Sequence, residues 1–125
     1  MVTIKNKNEI ATSELRKEVL DLIEAGLKEV YPPELMRQVV GYSDKMNSLV
    51  VQNNTFDIIS GRIFVIGGGK AAGLMAEVLE EIIGEEHIKA GVVNSTSDGY
   101  ITKKIKIIKA DRFYLGLLTC IYRHA

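Results

Sequence analysis

The residues best suited to chemistry lie in one run, Arg62-Ile63-Phe64-Val65-Ile66-Gly67-Gly68-Gly69-Lys70-Ala71-Ala72-Gly73. An apolar stretch leads through three glycines into a lysine and then into helix-forming residues. Glycine lets a backbone turn tightly and approach a ligand, and a helix starting there offers unpaired N–H groups and the positive end of its dipole to an anion. Lys70 adds a full positive charge at the same mouth. Gly67, Gly68, Gly69, Lys70 and Ala71 are therefore candidate phosphate- or substrate-binding residues. The competing account is that the glycines only let helix pack on strand, with Lys70 a solvated first-turn residue. Against it, a cation at a helix N-terminus is disfavoured by about 0.3 to 1 kcal/mol, a conflict that a bound anion removes.

Gly67-Gly68-Gly69-Lys70-Ala71-Ala72 fits the G-x-G-x-x-A form of a dinucleotide fingerprint, but the end of the next strand offers Asn94 where an acidic partner for the ribose belongs. A P-loop is excluded, because four residues must separate its glycines and a Ser or Thr must follow its lysine. Ala71 has no side chain with which to hold magnesium.

Three elements must position this loop. Ile63 to Ile66 is an apolar run of the kind buried on both faces of a parallel sheet. Ala71 to Ile83 reads as a helix with Leu74, Val78 and Ile82 on one face, Glu77, Glu80 and Glu81 mostly in solvent, and Gly84 as its stop. Ala90 to Val93 is a second buried strand, and Lys104 to Lys109 a third with a more polar face. Strand, helix, strand within about thirty residues is the crossover unit of an α/β sheet. In such sheets ligands sit beyond the carboxyl ends of the strands, so a second loop, Asn94-Ser95-Thr96-Ser97-Asp98-Gly99, should border the same crevice. Ser95 and Asp98 are candidate substrate contacts there; small polar residues of this type also serve simply as turn formers.

Upstream, Leu15, Val19, Leu22, Ile23, Leu27 and Val30 recur at helical spacing between charged residues, predicting an amphipathic helix from Ser13 to Val30 capped by Thr12 or Ser13. Tyr31-Pro32-Pro33 stops it, and Pro33 opens a short second helix ended by Gly41. Leu49-Val50-Val51 reads as a short extended segment and Gln52 to Thr55 as a loop.

With 125 residues the chain can build one core of ordinary size. Sixteen basic and sixteen acidic side chains cancel, which argues against a nucleic-acid partner. Two histidines and one cysteine argue against a metal cage, and Cys120 has no internal disulfide partner, in keeping with a reducing compartment. Residues 5–9 are polar where a signal peptide would be apolar, and no run is long enough to span a bilayer. The chain reads as cytoplasmic, with no membrane partner; a homo-oligomer is left open. His87 and His124 each stand alone among charged or terminal residues, and Tyr42, Tyr100 and Tyr114 read as packing groups.

From Leu20 to Ala110 the chain resembles the N-terminal part of the glycerate 2-kinases also known as hydroxypyruvate reductases. The features that carry the resemblance are, in order, Glu24-Ala25-Gly26-Leu27 on an amphipathic helix, a proline-marked turn, Gly61 to Gly67, Gly69-Lys70-Ala71-Ala72 with Met75-Ala76, Gly91-Val92-Val93, and Asp98-Gly99-Tyr100. The resemblance implies an α/β fold in which N-terminal helices precede a Rossmann-like parallel βαβ sheet, as an incomplete part of a larger two-domain protein. It further implies transfer of the γ-phosphoryl group of ATP to the 2-hydroxyl of glycerate, with Mg²⁺. Lys70 matches the lysine the family is expected to use in its active site, where it would neutralise charge on the carboxylate or on the phosphoryl group in flight. No residue is assigned as base or as magnesium ligand.

Residues 1–110 are thus read as kinase-like and residues 111–125 as an atypical tail. After Ala110 the family typically continues with a small residue, His-Pro and Pro-Asp, whereas this chain reads Asp111-Arg112-Phe113-Tyr114-Leu115-Gly116. A frameshift or premature stop in a longer gene accounts for that departure, and such a segment is expected to lack turnover alone. Otherwise the tail belongs to a genuine short protein whose Phe113, Leu115, Leu117, Leu118, Ile121 and Tyr122 complete a small core. Two other functions stay open: a dinucleotide-binding reductase acting on hydroxypyruvate, and a non-catalytic interaction module.

Overall fold

The structure, a computed structural model, describes residues 3–58 and 61–110. Ten elements follow in order: α1 (Lys7–Ile10), α2 (Glu14–Glu29), α3 (Pro32–Val39), β1 (Val40–Ser43), β2 (Ser48–Val51), β3 (Asn54–Asp57), β4 (Ile63–Gly68), α4 (Ala72–Ile83), β5 (Ile88–Ser95) and β6 (Ile105–Lys109). The atypical tail, with Tyr114, Cys120 and His124, lies outside the described residues.

Helix α2 begins where its cap predicts, with Ser13 Oγ accepting from the N–H of Arg16 at 3.3 Å. Lys7 bridges Asp21 and Glu24, and Glu24 also accepts from the N–H of Ile4 at 2.7 Å, so the first residues and α1 are tied to α2. Pro32 and Pro33 open α3, where no N–H is needed. Gly41 does not end that helix. The chain turns extended at Val40 and continues as β1, in which Gly41 pairs with Val50.

Strands β1, β2 and β3 form an antiparallel meander. Asn47, with φ 48°, and Gln52, with φ 54°, take the left-handed conformations that its two tight turns require. Asn54 and Thr55 thereby belong to a strand rather than to the expected loop, paired with Val51 and Val50.

Strands β4, β5 and β6 form a second, parallel sheet in that order, the Rossmann-like unit expected from the sequence. Helix α4 covers one of its faces. Ala76 and Ile83 of the helix meet Ile88, Val93 and Ile105 of the sheet, and Tyr42 and Leu49 of the meander pack against the same cluster. Each buried Ile or Val there contributes about 1.5 to 3 kcal/mol. The expectation that Ile63 to Ile66 is buried on both faces is overturned. Ile63 and Val65 face α4, while Phe64 and Ile66 are exposed on the side opposite the helix.

Candidate functional site

Gly67 and Gly68 are the last residues of β4, not loop residues, and pair with Val93 and Asn94 of β5. The turn begins at Gly69, whose φ of 135° suits glycine and whose N–H donates to the carbonyl of Asn94 at 3.1 Å. Lys70 and Ala71 complete it. Ala71 is the N-cap of α4, no side chain caps the helix, and no acidic residue stands in its first turn. The N-terminus thus keeps its positive end uncompensated. Lys70 lies exposed beside it and takes no ion pair among the described residues.

The glycines divide by role. A Cβ at Gly67 would meet Val93 no closer than 3.5 Å, one at Gly68 would approach Asn94 to 3.9 Å, and one at Gly69 would meet nothing within 4 Å. Packing among the described residues therefore does not demand the first two glycines, where a Cβ would make ordinary contact, and the space over Gly69 is open. Gly73 is the packing glycine: a Cβ there would fall 2.1 Å from the Tyr100 ring and 2.9 Å from Ser95 Oγ.

Ser95 closes strand β5 rather than standing in the loop. It is 2 % exposed, and its Oγ accepts from the N–H of Ser97 at 3.5 Å. Its backbone carbonyl accepts from the N–H of Ala110 at 2.8 Å, holding together the carboxyl ends of β5 and β6. Asp98 is exposed, and its carboxylate faces Lys109 Nζ at 3.7 Å. The structure thus brings Ser95 against the first turn of α4 beside the glycine run, whereas Asp98 is turned toward β6.

A carboxylate that the sequence placed in solvent holds this arrangement. Glu80 is 8 % exposed and accepts from the N–H groups of Lys103 at 2.6 Å, Lys104 at 3.2 Å and Ile105 at 3.2 Å. Glu77, one helical turn earlier, accepts from the N–H of Ile101 at 2.9 Å. Gly73, Glu77 and Glu80 recur at i, i+4, i+7 on α4, and the segment from Tyr100 to Ile105 runs along that stripe. The signal was present in the sequence: Gly73, Ala76, Glu80 and Ile83 keep the period of a buried face.

His87 is not isolated either. Its Nε2 lies 2.8 Å from Asp44 Oδ1 and its Nδ1 3.2 Å from the hydroxyl of Tyr42, which donates to Asn47 Oδ1 at 2.5 Å. The Tyr42 and His87 rings stack with centroids 4.3 Å apart, joining the meander to the α4–β5 turn. Among the described residues no group of three or more His, Cys, Asp or Glu is placed to hold a metal ion, and no helix is long and apolar enough to cross a membrane.

The family model described as "Domain of unknown function (DUF4147)" matches residues 18–113. Domains of that family are found at the N-terminus of glycerate 2-kinase-like proteins. Among solved structures, the PH0495 protein from Pyrococcus horikoshii OT3 is similar, with 30% sequence identity over 82% of this chain and a TM-score of 0.64. This chain spans 22% of that protein's length. No curated protein matches the chain.

Proposed function

We propose that this chain, which belongs to the family described as "Domain of unknown function (DUF4147)", is the N-terminal segment of a cytoplasmic glycerate 2-kinase and that its glycine–lysine turn receives a phosphate group. The observation that carries the reading is the uncapped N-terminus of α4 beside Lys70, which takes no ion pair among the described residues, with open space over Gly69. An oxyanion there would meet first-turn N–H groups, a helix dipole and an ammonium together.

In the proposed reaction the 2-hydroxyl oxygen of glycerate bonds to the γ-phosphorus of ATP and gives up its proton to solvent, while the bond from that phosphorus to the β-bridging oxygen breaks and ADP leaves. Lys70 would hold the phosphoryl oxygens or the glycerate carboxylate, the electrostatic task that dominates phosphoryl transfer. Asp98, exposed and faced by Lys109, is the second proposed contact; Ser95 is buried against the first turn of α4 and is proposed to support that turn from beneath. Mg²⁺ would neutralise phosphate charge when bound. The described residues do not form a site for it on their own, since Asp98 is the only carboxylate among the candidate site residues. Turnover is proposed to require parts of the fold beyond this chain.

Titration of the chain with ATP at low ionic strength, followed by amide NMR, tests the reading. Shifts should concentrate at Gly69 to Leu74 and weaken in Lys70→Ala. Shifts that leave this turn untouched, or that persist unchanged in Lys70→Ala, would remove it.

A further inference from the structure

We propose that the amino end of the parallel sheet carries a second anion site, which holds a small phosphate-bearing molecule at the opposite end of the strands from the glycine–lysine turn. Each of the three parallel strands delivers one cation there: Arg62 immediately before β4, Lys89 as the second residue of β5, and Lys104 immediately before β6. Together with Tyr42 and His87 they line one cavity of about 400 Å³, a size suited to a small ligand.

An irregularity in the sheet sets the place of Lys89. Ile63 pairs with Ile88 but Phe64 pairs with Ala90, so Lys89 is an extra residue of β5 with no partner on β4. Ile88 and Val93 stand an odd number of residues apart, which in a regular strand would put them on opposite faces. The extra residue corrects the alternation, and both enter the cluster under α4. Lys89 is left exposed at the rim of the cavity. Such bulges re-aim side chains and recur beside functional sites.

Arg62, Lys89 and Lys104 take no ion pair among the described residues, although acidic and basic side chains balance over the whole chain. The carboxylate on the same wall is turned back toward the α4–β5 turn: Glu86 Oε1 lies 3.5 Å from His87 Nε2 and would stand 2.7 Å from a Cβ at Gly84. Like charges gathered at one rim repel one another, and a bound anion removes that conflict. Three cations exceed what a single carboxylate needs, whereas a phosphate ester or pyrophosphate carries a double or higher charge spread over several oxygens. Arg62 can meet two of those oxygens with parallel N–H bonds, and the lysines act as point charges beside it. The Tyr42 ring, stacked on His87 and joined to its Nδ1 at 3.2 Å, gives the cavity a fixed polar wall.

The test is an amide NMR titration of the Lys70→Ala chain with pyrophosphate at about 0.15 M salt, where attraction by distant surface charge is screened. Saturable shifts are expected at Ile63, His87, Lys89 and Ile105. Affinity should fall about tenfold when Arg62→Ala or Lys104→Ala is added, the effect of losing one charged hydrogen bond. It should stay unchanged with Lys28→Ala, which removes a cation of α2 outside the cavity. Arg62 and Lys104 are exposed, so circular dichroism should not change in either variant. Three results would overturn the proposal: shifts that never saturate, full affinity retained in both Arg62→Ala and Lys104→Ala, or an equal loss from Lys28→Ala. Because the Lys70 charge is absent throughout, failure here leaves the reading of the glycine–lysine turn standing, and failure of that reading leaves this site standing.

Discussion

Tyr100 lies across Gly73, its ring so near that a Cβ at position 73 would stand 2.1 Å from it. The contact fastens the middle of the β5–β6 connection to the first turn of α4, which directly follows the glycine–lysine turn. An alanine in a helix is ordinarily favoured over glycine by about 1 kcal/mol. Here the crowding should reverse that sign. Gly73→Ala is expected to destabilise the chain by about 1 to 3 kcal/mol, as overpacked sites do. Thermal unfolding measures it, and adding Tyr100→Ala should recover part of the loss; a more stable Gly73→Ala would show that the ring moves aside freely.

Glu80→Ala removes the acceptor for the N–H groups of Lys103, Lys104 and Ile105. Leaving the buried N–H of Ile105 and the part-buried N–H groups of Lys103 and Lys104 unpaired should cost about 1 to 3 kcal/mol. Glu81, on the exposed side of the same helix, pairs with Arg37 at 2.7 Å with both side chains about half exposed. Glu81→Ala should therefore cost well under about 1 kcal/mol. Urea denaturation of the two variants compares them, and equal losses would deny Glu80 its special place.

Lys70→Ala should act in opposite directions with and without ligand. In the free chain it removes a cation from a helix N-terminus and should raise stability by about 0.3 to 1 kcal/mol. With tripolyphosphate present it should weaken binding by roughly tenfold, the effect of losing one charged hydrogen bond. Thermal midpoints measured with and without the anion give both signs in one experiment.

The Lys7–Asp21–Glu24 cluster carries a pH dependence. Hydrogen bonding to Lys7 holds the Asp21 carboxyl below its ordinary range, and the bonds from Lys7 and from the N–H of Ile4 do the same for Glu24. The reciprocal bonds to Asp21 and Glu24 raise Lys7. A depressed carboxyl contributes stability that is whole above its unfolded value and lost as pH falls through the folded one; a raised lysine contributes stability lost as pH climbs through its folded value. Attachment of the N-terminal residues to α2 should thus hold between about pH 5 and 10, loosen below about pH 4, and loosen again above about pH 10.5. Amide exchange at Ile4 follows it, and Lys7→Ala should flatten the profile.

Much of the fold was legible because its signals are local. Ser13 as a cap, the apolar period of α2, Pro32-Pro33, Gly84 and the step from apolar run to glycine to helix each act through the few residues around them. The candidate site was legible to the same degree, since Gly69, Lys70 and Ala71 make a turn by their own conformational preferences.

What remained hidden depends on partners distant in sequence. Asn54 and Thr55 are polar, yet they form a strand because Val51 and Val50 supply the hydrogen-bonding partners across the turn. Glu80 looks like its exposed neighbours, and only the return of residues 103–105 along α4 makes its burial affordable. Ile66 belongs to an apolar run that any pattern assigns to the interior, but a run records only that burial is suitable, not on which side cover will be found. The sequence by itself determined where the helices start and stop and where the apolar run turns through glycine into α4. Tertiary structure alone decided which of their faces meet, because those contacts join residues that share no local term in the energy.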